Sequence, residues 1–201
     1  ERLVDSGNMQ QALHILMEFG YGDGKELEDP RGFEGILAKE MHRVSELVFS
    51  LAVEKAEVEL FRLPQDYHNL KVLLKAEALG TDPAPLMTGG GNIPPDKLLD
   101  RIRERNFIML ALEMQHGFAD ASELYAQSGD PQEIDLVLDR ACYAQMQRMA
   151  EVCENPFIAD YCALEVDLLN CRAFVRLREV GKPWNFFQKV FLPGGTLNEQ
   201  L

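Results

Sequence analysis

Apolar residues recur at helical spacing along most of this chain, and no stretch reads convincingly as a strand. A first helix is expected over 8–19, closed by Gly20, with a loop from Gly20 to Gly24. Asp29-Pro30 has the form of a helix start, an N-cap followed by proline at the first helical position. Phe33, Ile36, Leu37, Met41, Val44, Leu47, Val48 and Leu51 then mark one apolar face. A further helical stretch runs to about Leu63, where Pro64 is expected to end it. Asp66 opens the next helix and Gly80 stops it. Residues 81–95, rich in proline and glycine, form the clearest break in the chain. Beyond it the pattern predicts helices over 96–105, 107–115 and 119–127. A long one follows from Asp130-Pro131 to about Cys153, and another from Asn155-Pro156 to Val180. The fold class expected is all-α.

The chain repeats itself at a distance of 101 residues. Asp66-Tyr67-His68-Asn69-Leu70-Lys71-Val72-Leu73-Leu74-Lys75 returns as Asp167-Leu168-Leu169-Asn170-Cys171-Arg172-Ala173-Phe174-Val175-Arg176. Both read D-x-x-N-x-[KR]-x-x-x-[KR]. The register extends outward without a gap: Asp29-Pro30 falls on Asp130-Pro131, Gly80 on Gly181, and Leu37 and Met41 on Leu138 and Cys142. Pro193-Gly194-Gly195 echoes the turn at Gly89-Gly90-Gly91. A repeat this long implies one structural module used at least twice. The expected modules are residues 1–95 and 96–201.

On a helix turning about 100° per residue, Asp66 and Asn69 share the apolar face with Leu70, Leu73 and Leu74, while Lys71 and Lys75 lie opposite. In the second copy Asp167 and Asn170 share an arc with Cys171, Phe174 and Val175, and Arg172 and Arg176 point away. Polar groups on a core face cost free energy unless they are hydrogen-bonded. Asp66, Asn69, Asp167 and Asn170 therefore read as a structural motif, a buried polar clamp, with direct partner contact as the alternative. The basic pairs Lys71/Lys75 and Arg172/Arg176 read either as a solvated, salt-bridged face or as a partner-binding surface.

Composition narrows the function. The chain has 201 residues, 46% hydrophobic and 26% charged, as in a globular protein. Its net charge of −13 argues against binding nucleic acid or an anionic membrane surface. No run of about 18 or more apolar residues occurs, and no signal peptide is recognisable. Cys142, Cys153, Cys162 and Cys171 lie in helical patterns without zinc-ligand spacing, and read as reduced, mostly buried thiols. Gly20-Tyr21-Gly22-Asp23-Gly24-Lys25 resembles a phosphate loop only loosely: its glycine spacing is short and Glu26 stands where Ser or Thr is needed. Glu113-x-x-His116 is one half of a di-iron pattern that requires two such pairs. The expectation is no cofactor, no metal and no direct nucleotide binding.

These residues carry a resemblance. The stretch Asp66 to Lys75, the later Asp167-x-x-Asn170-x-Arg172-x-x-x-Arg176 and Phe191-Leu192-Pro193-Gly194-Gly195 are similar to the signature of the C subunit of V/A-type ATPases, the family that includes the d subunit of eukaryotic V-ATPases. The resemblance covers nearly all of the chain. It implies a funnel of three helical modules, a non-catalytic rotor part joining the central stalk to the membrane proteolipid ring. Such a part passes torque between ATP chemistry and proton or sodium transport, at the cytoplasmic face and peripheral to the membrane. Two motif copies are present where three modules are expected, so a third module and a short N-terminal piece are expected outside this chain. The competing expectations are a general α-helical repeat scaffold for another protein partner and a helical-bundle enzyme.

Overall fold

A computed structural model describes residues 2–24 and 32–198. The helix start at Asp29-Pro30 lies outside the described residues. The chain forms two compact units, Glu1–Val53 with Thr88–Gly90, and Glu54–Met87 with Gly91–Leu201. Among the described residues all the regular elements are helical.

The first unit carries α1 (Met9–Glu18) and α2 (Phe33–Leu51), with a 3-10 turn at Tyr21–Gly24. Asn8 caps α1 by accepting the Gln11 amide at 2.9 Å, which satisfies one of the four amides a helix start leaves unpaired. Leu13 of α1 and Ile36 of α2 are its buried apolar residues among those described.

The second unit holds α3 (Lys55–Leu79), α4 (Pro95–Arg103), α5 (Leu112–Ser128), α6 (Pro131–Cys153), α7 (Pro156–Glu179) and the short α8 (Trp184–Val190). Proline at the first helical position and a side-chain cap begin α6, where Asp130 accepts the Gln132 amide, and α7, where Asn155 accepts the Phe157 amide. Gly80, in the left-handed region at φ 64°, closes α3. The core is one cluster built from α3 to α7, with Leu60, Tyr67 and Leu70 of α3 against Ile134, Leu138 and Met146 of α6 among its fully buried members.

Two expectations are corrected. Pro64 does not end a helix, because α3 runs through it from Lys55 to Leu79. Proline removes one helical hydrogen bond and crowds the preceding turn. Here Leu60 and Leu63, on either side of that turn, are both buried in the core, and burial outweighs the local cost. The predicted helices at 107–115 and 119–127 are a single helix, α5, and 107–111 lies outside it. Gly117 sits in mid-helix as a close-packing position: a Cβ there would stand 2.7 Å from the Ala141 Cβ of α6. Helix α8 has no counterpart among the helices expected from the sequence. It is held by ring contacts among Phe174, Trp184 and Phe187.

The two compact units do not coincide with two copies of the repeat. Helix α3, which carries the first motif, lies in the same unit as α5, α6 and α7. The last helix of the first copy is thus built into the core that the second copy forms.

Candidate functional site

The residues singled out by the repeat form two corresponding polar clusters. In the first, the Asp66 carboxylate on α3 accepts the backbone amide of Asn92 at 3.0 Å and that of Ile93 at 2.9 Å. In the second, Asp167 on α7 accepts the amide of Thr196 at 3.0 Å, the Thr196 hydroxyl at 2.5 Å and the amide of Leu197 at 3.0 Å. Each carboxylate therefore pins two consecutive amides of a glycine-containing loop that follows its own helix.

Glycine is required at the approach. A Cβ at Gly91 would stand 2.1 Å from Asp66 Oδ1, and one at Gly195 would stand 1.9 Å from Asp167 Oδ1. The glycine echo between the copies thus has a physical cause, since each loop must bring bare backbone against a carboxylate. The asparagines complete the clusters. Asn170 donates from Nδ2 to the Leu192 carbonyl at 2.8 Å and accepts the Leu192 amide on Oδ1 at 2.9 Å. Asn69 is fully buried. In the first cluster Asn92 also donates from Nδ2 to the Glu59 carbonyl at 2.9 Å.

The two carboxylates differ in electrostatics. Burial pushes Asp66 up to about 6, against the opposing hydrogen bonds from Ile93 and Asn92 and the Arg62 charge. At Asp167 desolvation also acts upward, but the Thr196 hydroxyl and the amides of Leu197 and Thr196 outweigh it and hold the carboxyl below its ordinary range. The extra hydroxyl donor and the more open setting account for the difference.

The basic pairs of the two copies occupy different surroundings. Lys71 pairs with Asp139 at 2.5 Å, and Lys75 with both carboxylate oxygens of Asp135 at 2.6 and 2.8 Å. Both lysines are half-buried between α3 and α6. Nearby, the buried Tyr67 hydroxyl donates to Gln145 Oε1 at 2.9 Å. These contacts run in opposite residue order on the two helices, so α3 and α6 are antiparallel. Arg172 and Arg176, by contrast, are exposed and make no ion pair among the described residues. They line a groove of about 1160 Å³ beside α6, with Leu136, Tyr143, Val175 and Phe186 among its other walls. The helical wheel could not separate these cases, because it shows one helix and not its neighbour.

Other sequence signals have structural occupations. Glu113 forms an ion pair with Arg148, and Cys142 and Cys162 are buried while Cys171 is exposed. Among the described residues no group of three His, Cys, Asp or Glu side chains is arranged to hold a metal. No helix among them is long and apolar enough to cross a membrane.

An all-helical repeat protein, whose recurrent motif holds its own loops and joins one copy to the next, is the class these features define. The chain belongs to the ATP synthase (C/AC39) subunit family, whose profile matches residues 1–201. It is 25% identical over 146 residues to the C subunit of the V-type sodium ATPase of Enterococcus hirae, a match covering 73% of this chain and 44% of that protein. The chain thus spans less than half the length of the curated relative. No solved structure matches it.

Proposed function

We propose that this chain is part of a non-catalytic rotor subunit that couples the central stalk of a V/A-type ATPase to its membrane proteolipid ring. The observation that carries the reading is membership of the C/AC39 family over the whole chain. The joint between α3 and α6 supports it. An adaptor that passes torque must resist shear between its parts, and a helix shared with the next copy's core supplies that resistance. The common geometry of the two loop clamps fits a part assembled from similar modules, the copies at 1–95 and 96–201. In this reading the subunit is peripheral, at the cytoplasmic face, and meets the membrane through protein contacts.

The test is to add the full subunit to detergent-solubilised membranes of its host and identify what it retains. Recovery of the proteolipid ring together with central-stalk subunits is expected. Recovery of soluble partners alone, with no ATPase subunit, overturns the rotor reading and leaves a helical scaffold.

A further inference from the structure

We propose that the loop between α3 and α4, residues 81–94, is an acid-closed strap: protons on Asp66 and His68 hold it against α3, and it loosens when they are lost. This inference follows from the hydrogen bonds of the strap, and not from the rotor reading.

Two side chains of α3 pin the strap at two points. His68 Nε2 meets the Leu86 carbonyl at 3.2 Å, at the end of the short 3-10 turn Ala84–Leu86. Asp66 holds the other point through the amides of Asn92 and Ile93. Gly89-Gly90-Gly91 lies between them, a run that gains much conformational freedom once released.

Both fastenings respond to a proton in the same direction. A carbonyl only accepts, so His68 must carry a hydrogen on Nε2 to hold Leu86, and the charged imidazolium is the stronger donor. Asp66 is 1% exposed, a setting in which a charged carboxylate is costly. Its cluster is also short of donors: two amides serve its two oxygens, and the buried Asn92 Oδ1 has none. A protonated Asp66 supplies an O–H and removes a buried charge. Burial outweighs the amides and the Arg62 charge and pushes Asp66 up to about 6.

The neighbours of Asp66 leave it as the member of its cluster that changes charge. Arg62 and Tyr67 lie near it on α3, and Cys142 on α6. Burial pushes the Tyr67 phenol and the Cys142 thiol up, so both stay protonated through neutral pH. Beside His68, Lys71 is paired with Asp139. Asp82, the one charged side chain of the strap, accepts the Ala84 amide at 3.2 Å.

The second clamp lacks both devices. Leu169 stands where the first copy has His68, and Thr196, whose hydroxyl donates to Asp167, stands where it has Asn92. With that extra donor Asp167 lies below its ordinary range and stays charged at neutral pH. The two loops are alike in geometry and differ in their response to acid. In the first, the closed strap binds the Asp66 proton more tightly than an open one, where the carboxyl has its ordinary value of about 3.9. Closure is therefore strongest below about pH 4 and weakens as pH rises through about 6.

The experiment measures amide hydrogen exchange by NMR on the subunit as its gene encodes it, each rate taken relative to an unstructured peptide at the same pH. Protection of Asn92 and Ile93 is expected to fall by at least about tenfold from about pH 5 to about pH 7.5, the change that the two affinities of Asp66 for its proton give. Protection of Thr196 and Leu197 should stay level over that range. His68→Gln, which keeps a donor and takes up no proton, should shrink the fall, and Asp66→Asn/His68→Gln should abolish it. Should the double variant fail to fold by circular dichroism, an NMR titration of the Asp66 carboxyl carbon in the parent chain takes its place. A midpoint near about 6 is expected there, and a midpoint at the ordinary carboxylate value overturns the strap. Protection of Asn92 and Ile93 that is level with pH also overturns it, as does a fall that survives both substitutions. An equal fall at both loops overturns it too, since that is a loosening of the whole fold. Failure to recover ring or stalk subunits would overturn the rotor reading and leave this result untouched.

Discussion

Lys75 in the last turns of α3 donates to both carboxylate oxygens of Asp135 in the first turns of α6, at 2.6 and 2.8 Å. The pair ties the end of the first copy's motif helix to the start of the second copy's long helix. Both groups are about one-third exposed, so solvent screens the attraction and its energetic contribution is modest. Its geometry sets the register in which the two helices lie.

A double-mutant cycle on Lys75→Met and Asp135→Leu should give a coupling of about 0.5–1 kcal/mol in urea unfolding. The coupling should shrink between low and high salt, because the pair is partly solvated. A coupling near zero at every salt concentration would mean that the pair adds nothing to stability.

The loop clamps should matter more than the ion pairs. Asp167→Ala removes the acceptor of three hydrogen bonds and should cost roughly 2–4 kcal/mol. Gly195→Ala should cost a similar amount, roughly 2–4 kcal/mol, by forcing a methyl group against the same carboxylate. The two effects should be far from additive, since either substitution releases the same loop. Additive losses would show that Gly195 acts elsewhere.

Acidity should act on the first clamp with a definite sign. Asp66 is raised to about 6 by burial, above its ordinary value of about 3.9 in an unfolded chain. The folded state therefore binds this proton more tightly than the unfolded state. Stability from this group is fully present below about pH 4 and is lost as pH rises through about 6. The stability difference between the parent chain and Asp66→Asn, measured by urea unfolding from pH 4 to 7.5, should move in the parent's favour on acidification. A difference that is flat with pH would place Asp66 in a solvated setting, and one that moves the other way would mean that the amide hydrogen bonds outweigh its burial.

Gly117→Ala should destabilise the protein by about 1–3 kcal/mol through overpacking, although alanine is the better helix former. The cause is the Ala141 Cβ, 2.7 Å from where the new methyl group would sit. Gly117→Ala combined with Ala141→Gly should recover much of the loss. A stabilising Gly117→Ala would instead mean that α5 and α6 are not in close contact.

Much of the secondary structure was legible in the sequence because its signals are local. Asp130-Pro131 and Asn155-Pro156 begin helices since a short polar acceptor and a preset φ act within one turn. Gly80 ends α3 because the left-handed residue there suits a bare backbone. The two-fold repetition of Asp-x-x-Asn with a downstream glycine loop was visible as well, and so was the low tolerance of a core face for unpaired polar groups. The helix through Pro64 and the unbroken α5 were not legible, because in both the local penalty is overridden by burial against α6.

The sequence by itself determined an all-helical chain, a 101-residue repeat and the residues that recur in it. Only the tertiary structure decided what each recurrence touches. Asp66 and Asp167 meet loop amides 25 or more residues away in the chain, and no local rule names that acceptor's donors. Lys71 and Lys75 are paired while Arg172 and Arg176 are open, although the motif reads alike at both places. The difference lies in which helix packs alongside, and packing is a property of the three-dimensional neighbourhood, not of spacing along one helix.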